Sequence, residues 1–237
     1  MQKARILAVI TARGGSKRVP GKNMRFIAGK PLISWTTEAA LACPLLHMVL
    51  VSTDDATIAS ISRESGAHVP FMRPAELSTD QASSLPVIQH AVNFIETRDS
   101  IQFDWVLTLQ PTSPLRTSED IANALALADY DQCDSVVSVR PMPVHPIFAK
   151  KIDAAGLLKP FLLEEPEGLR RQDVSPPAYC RNGAIYLTQR NILMQRHSLY
   201  GDRIRPYLMP EERSVDIDTP LDFDVAEQLL LVTQKVS

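Results

Sequence analysis

Four cations, three glycines and a proline fall together in Ala12-Arg-Gly-Gly-Ser-Lys-Arg-Val-Pro-Gly-Lys-Asn23. A loop of this kind can bring backbone N–H groups and Arg13, Lys17, Arg18 and Lys22 to one polyanion, which points to phosphate. A plain surface turn needs fewer cations around its glycines, so phosphate binding is favoured over a solvated basic loop. Near the far end stands Val215-Asp-Ile-Asp218. Read as extended chain, it sets Asp216 and Asp218 on one face with Cα atoms about 7 Å apart, and turns Val215 and Ile217 inward. Two carboxylates facing a triphosphate suit Mg²⁺, which takes few protein oxygens and fills its shell with phosphate and water. A third polar group, Gln110, Ser113 and Arg116, follows the apolar run 105–109.

The familiar phosphate loops do not match. Gly14, Gly15 and Gly21 are not spaced as G-x-G-x-x-G. Five residues separate Gly15 from Gly21 where a P-loop has four, and Asn23 stands in place of the metal-binding hydroxyl. Asp54 and Asp55 read as helix-start residues, favoured there by the helix dipole. His47, His68, His90, His145 and His197 show no metal spacing, and Trp35 and Trp105 read as packing groups.

The elements that must position these residues alternate. Buried-strand runs at 6–11, 48–52, 105–109 and 134–139 are interleaved with helical patterns at 31–42, 54–65, 83–97 and 118–128. Pro31 is expected in the first turn of its helix, Gly66 as a helix stop, and Val87, Ile88, Ala91, Val92 and Ile95 on one helical face. This order specifies an α/β fold, a mostly parallel, Rossmann-like three-layer sheet whose ligands gather at the carboxyl ends of the strands. Residues 140–181 break the pattern with seven prolines, a charged run from Leu163 and the pair Arg170-Arg171. They read as an inserted arm with a hairpin near Gly156, of the sort that contacts a second subunit. The expected organisation is a core of 1–139 plus 182–237 with an inserted dimerisation segment at 140–181. Strand character returns at 183–187, a short helix follows at 189–196, and 214–218 is expected as a strand end. Thr219, Pro220 and Asp222 then open the last helix.

The 237 residues are 45% hydrophobic with a formal net charge of −2, which suits one large domain and excludes non-specific nucleic-acid binding. Cys43, Cys133 and Cys180 form neither a disulfide framework nor a zinc pattern, so a reducing cytoplasm is the expected compartment. The apolar run after Arg5 breaks at Thr11-Ala-Arg, too short for a signal peptide or a membrane span.

Taken in order, the basic loop and five further runs resemble the CMP-sialic acid synthetases (N-acylneuraminate cytidylyltransferases). These runs are Val51-Ser-Thr-Asp54, Arg73-Pro-Ala-Glu-Leu77, Leu109-Gln-Pro-Thr-Ser-Pro-Leu-Arg116, Asn182-Gly-Ala-Ile-Tyr186 and Asp216-Ile-Asp-Thr-Pro-Leu-Asp222. The resemblance implies that the anomeric hydroxyl of a nine-carbon 2-keto acid sugar attacks the α-phosphate of CTP, giving the CMP-sugar and pyrophosphate. It implies that Arg13, Ser16, Lys22 and Asn23 hold the triphosphate, and that Arg73, Ala82 and Ser84 contact the cytidine. Gln110, Arg171 and Tyr186 would face the sugar, Asp216 and Asp218 would hold Mg²⁺, and residues 140–181 would form the homodimer contact. Between Arg171 and Asn182 the spacing is one residue longer than the family's, and Cys180-Arg181 stands where the family has Arg-Pro. That departure leaves open whether the sugar is sialic, legionaminic, pseudaminic or Kdo-type acid. Outside this reading stand a transferase for another nucleotide and a non-catalytic nucleotide sensor.

Overall fold

The computed structural model describes residues 4–162 and 166–236; the start of the charged run at 163–165 lies outside the described residues. Strand β1 (Ile6–Thr11) leads into the basic loop, then a short hairpin, β2 (Phe26–Ile27) and β3 (Lys30–Pro31). Helix α1 (Leu32–Leu41), strand β4 (Met48–Ser52), helix α2 (Ala56–Glu64) and helix α3 (Ser84–Asp99) follow. Next come β5 (Trp105–Leu109), α4 (Ser118–Ala126) and β6 (Ser135–Pro141). The arm carries the hairpin β7 (Lys150–Ile152) and β8 (Leu158–Pro160). The chain closes with β9 (Tyr179–Gln189), α5 (Arg190–Met194), β10 (Ile204–Leu208) and α6 (Pro220–Val236).

Six strands form one sheet in the order β10-β6-β9-β5-β1-β4. All neighbours are parallel except β9, which runs antiparallel to both β5 and β6. Helices on both faces explain why β1 and β5 are continuous apolar runs rather than alternating ones. On one face, α1, α2 and α4 bury Ile33, Ile58 and Ile121 against Ala8, Leu107 and Ile185. On the other, α3 and α5 bury Ile88, Val92 and Leu193 against Leu7, Val9 and Val106. A third cluster seats Phe223, Ala226 and Leu230 of α6 on Ile27, Leu32 and Ile217. Asp55 caps α2 by accepting from Thr57 N and Ile58 N at 2.8 and 3.0 Å. Thr219 and Asp222 form the expected reciprocal cap of α6.

Four local expectations are corrected. Pro31 is the N-cap of α1, not a first-turn residue, because its ψ of 142° is extended. It ends a two-residue hairpin whose turn holds Ala28 and Gly29 at φ of 46° and 93°. The β9 strand begins at Tyr179 and runs unbroken across the expected 181/182 boundary. Residues 214–218 form no strand: the amide of Ile217 donates to the loop carbonyl of Thr112 at 2.9 Å instead of to a neighbouring strand. The edge strand β10 was not anticipated.

Candidate active site

The basic loop opens into a cavity of about 550 Å³ beyond the ends of β1 and β5. Nine of the expected site residues line it: Arg13, Ser16, Lys22, Asn23, Arg73, Ala82, Ser84, Gln110 and Asp218. Lys17, Arg18, Thr79, Asp80 and Thr112 complete its polar wall. The loop is shaped from within, since Asn23 Nδ2 donates to Arg13 O at 3.0 Å and Gly21 adopts φ 64°. It is also held from outside: Gly14 N donates to Asp54 Oδ1 at 3.1 Å. Gly14 has no room for a side chain, because a Cβ there would lie 2.6 Å from Asp55 Oδ2. The two aspartates read as helix-start residues therefore also brace the loop, a link between segments forty residues apart that local pattern does not reveal.

Lys22 is the least exposed cation of the loop. Its Nζ donates to Ile217 O and stands 3.8 Å from Asp218 Oδ1, while Arg18 Nη1 lies 3.7 Å from Asp218 Oδ2. Burial lowers the Lys22 pKa, and Asp218 and then Asp216 act in the opposite direction. The basic loop and the aspartate segment thus meet directly, although 195 residues separate Lys22 from Ile217.

The aspartates sit on a strap between the 3-10 turn Glu211–Arg213 and α6. A bulge in β9 anchors it. Between Val137 and Val139 the β6–β9 register shifts, and Ser138 Oγ donates to Asn182 Oδ1 at 2.6 Å while accepting from Ile185 N at 2.8 Å. Asn182 Nδ2 then donates to Ser214 Oγ at 2.9 Å. Bulges beside functional sites redirect side chains in this manner. Here the bulge sets Gly183, at φ 79°, against Asp216, where a Cβ would lie 2.9 Å from Oδ2. Asp216 is half-buried, Ile217 fully buried and Asp218 exposed, so the inward turn of Ile217 holds without the expected strand. Asp216 Oδ1 is buried and has no hydrogen-bond partner. Burial pushes the Asp216 carboxyl above its ordinary pKa, Thr112 draws it back, and the nearby charge of Asp218 adds to the rise.

On the opposite wall, Arg73 is a strut as well as a lining residue. Its Nε donates to Ser52 Oγ at 3.1 Å and its Nη2 to Ala12 O at 3.3 Å, tying β4 to the start of the basic loop. Arg116, only 2% exposed, clamps Gln110 O and Ala184 O at 3.3 and 2.9 Å, joining the end of β5 to the β9 bulge. Burial lowers its pKa to about 10. Three expected residues do not line the cavity. Asp216 is half-buried outside its lining, and Arg171 is exposed on the arm. Tyr186 belongs to β9, 6.0 Å from the Tyr200 ring, beside a second hollow lined by Arg181 and Tyr200. Burial raises the Tyr186 pKa, with smaller effects from Tyr200, Arg181 and Asp216. No group of three His, Cys, Asp or Glu side chains suited to a metal occurs among the described residues.

Comparison with known proteins places this geometry. The chain is 39% identical over 233 residues to a CMP-N,N′-diacetyllegionaminic acid synthase of Legionella pneumophila, covering 98% of each. It is 36% identical to an N-acylneuraminate cytidylyltransferase of Streptococcus agalactiae serotype III, covering 92% of this chain and 51% of that protein. Among solved structures, a CMP:2-keto-3-deoxy-manno-octonic acid synthetase complexed with CTP shares the fold, with a TM-score of 0.68 at 20% identity over 97% of this chain. A family model described as cytidylyltransferase matches residues 7–236, and the chain belongs to that family of nucleotidyltransferases.

Proposed function

We propose that this cytidylyltransferase activates a nine-carbon 2-keto acid sugar with CTP, releasing the CMP-sugar and pyrophosphate. The observation that carries the reading is the meeting of a four-cation loop and a two-aspartate strap at one cavity, through Lys22, Ile217 and Asp218. Among such sugars, the relative matched along the full length of both chains favours a diacetylated legionaminic acid.

In this reading Arg13, Ser16, Lys22 and Asn23 hold the triphosphate, and Arg73, Ala82 and Ser84 hold the cytidine. Gln110, Tyr186 and Arg171 face the sugar, Arg171 reaching it from the arm. The sugar hydroxyl forms a bond to the α-phosphorus as the bond to the β-phosphate oxygen breaks, with no covalent enzyme intermediate. Positioning and charge stabilisation carry such a transfer. Lys22 is suited to the departing pyrophosphate because its ammonium is partly desolvated and held by Ile217 O. Asp216 and Asp218 fit a magnesium site: one carboxylate oxygen is buried without a partner, and the other group is exposed towards the cavity. Magnesium held there would stabilise phosphate charge and acidify the attacking hydroxyl.

The arm supports a homodimer. Ile152, Leu158 and Leu162 are 73, 67 and 77% exposed on and beside its hairpin, an apolar surface that a second copy would cover. Free cysteines support a reducing, cytoplasmic setting, and no helix among the described residues is long and apolar enough to cross a membrane. The test is pyrophosphate release from CTP, UTP and GTP, each crossed with sialic, legionaminic, pseudaminic and Kdo-type acids, with and without Mg²⁺. Release is expected with CTP and a nine-carbon acid only when Mg²⁺ is present; release with UTP in place of CTP refutes the base assignment.

A further inference from the structure

Two of the four loop cations, Arg13 and Lys17, are engaged by Asp80, while Arg18 and Lys22 lie near Asp218. Asp80 lies between the 3-10 turn Ala75–Leu77 and α3, on the segment that carries Ala82 and ends at Ser84. Its Oδ1 accepts from Arg13 Nη1 at 2.8 Å and its Oδ2 from Lys17 Nζ. Arg13 Nη1 also donates to Thr79 O at 3.3 Å. All four residues line the cavity, so these contacts tie the phosphate loop to its base-side wall.

We propose that Asp80 is a resident counter-anion for Arg13 and Lys17, which an incoming triphosphate displaces and which recaptures both cations as pyrophosphate leaves. The inference rests on the reading of the cavity as a triphosphate site. The donors that grip Asp80 are the ones a phosphate needs, and a single carboxylate competes poorly with a group carrying several charges. The contacts are also weak enough to open. Arg13, Lys17 and Asp80 have side chains 35, 78 and 43% exposed, and ion pairs in that setting contribute little individually. The hydrogen bond from Lys17, with help from Arg13, holds Asp80 below its ordinary pKa, so it stays charged across the working range.

The test compares wild type with Asp80→Asn and Asp80→Ser by calorimetric titration of CTP, inorganic pyrophosphate and cytidine in magnesium buffer. Both variants are expected to bind CTP and pyrophosphate about three- to tenfold more tightly, with cytidine unchanged. The gap should shrink at high salt, which screens exposed charges. Pyrophosphate should also become a stronger product inhibitor. Equal or weaker binding of CTP and pyrophosphate by correctly melting variants overturns the proposal, as does an equal gain for cytidine. A wild-type protein that binds neither CTP nor pyrophosphate overturns the triphosphate reading and this inference with it.

Discussion

Asp120→Asn should destabilise the fold and loosen the aspartate strap together. Asp120 is fully buried in the first turn of α4, and its carboxylate accepts five hydrogen bonds. Tyr207 Oη of β10 and Arg213 Nη2 reach Oδ1 at 2.8 Å each. Arg213 Nε, Thr117 N and Thr117 Oγ1 reach Oδ2 at 3.0 Å. An asparagine keeps the shape and one acceptor oxygen, but in either orientation sets its amide N–H₂ against an Arg213 nitrogen, together with Tyr207 Oη or with Thr117. Losing one charge-assisted bond and the ionic part of another costs about 3 kcal/mol. For a chain of this size that lowers Tm by about 6–12 °C. Because Arg213 immediately precedes the strap, kcat should fall as well. Burial alone would raise the Asp120 pKa, but the bonds from Arg213, Thr117 and Tyr207 outweigh it and hold the folded value below 3.8. A depressed folded pKa stabilises above the unfolded value, so the Tm gap should be full at neutral pH and close as pH falls below about 4. Thermal melts of both proteins from pH 7 downward read this directly. A gap under about 1 °C at pH 7, or one that widens in acid, refutes the reasoning.

Three further outcomes follow from the site. Asp216→Asn and Asp218→Asn should each lower turnover roughly a hundredfold or more with little change in Tm, and full activity in both single variants removes the metal assignment. Lys22→Ala should impair CTP use far more than sugar affinity, and unchanged CTP dependence in steady-state kinetics contradicts its phosphate role. Gly183→Ala should abolish most activity, since its Cβ would sit 2.9 Å from Asp216 Oδ2 at a φ of 79°; normal kinetics there would show that the strap yields freely.

Much of this was legible in the chain because the signals are local. Unbroken apolar runs marked β1 and β5, and the 3.6-residue period marked α3, whose five expected inward residues are all buried. The cation-rich loop needed no partner to be noticed. Signals that depend on distant contacts were not readable. Ile204-Arg-Pro-Tyr-Leu208 carries a proline and a charge, which a sheet tolerates here because β10 is an edge strand. Ala28 takes a left-handed conformation that alanine rarely adopts, and its amide is held by Glu227 Oε1 at 3.0 Å from the other end of the chain. Alternation at Val215-Asp-Ile-Asp218 specifies inward and outward faces but not a hydrogen-bonded neighbour, so it suggests a strand that the fold does not form. Asp80 follows a stretch interrupted by Pro70 and Pro74 that has no strand or helix period, so its pairing with Arg13 and Lys17 has no local signal.

The direct contact between Lys22 and Ile217 also has a consequence for the order in which the protein is made. Nearly the whole chain lies between these partners, and Thr112 O must be in place to receive the Ile217 amide. The sheet strands β1, β4 and β5 can pair as they leave the ribosome, but the cation loop meets Asp218 and Ile217 only when residues 216–218 arrive. Closing a loop of that length is a late, slow event in folding. Nascent or C-terminally clipped chains would therefore hold a nearly complete sheet and a basic loop able to attract polyphosphates, yet lack the aspartates proposed to support their chemistry.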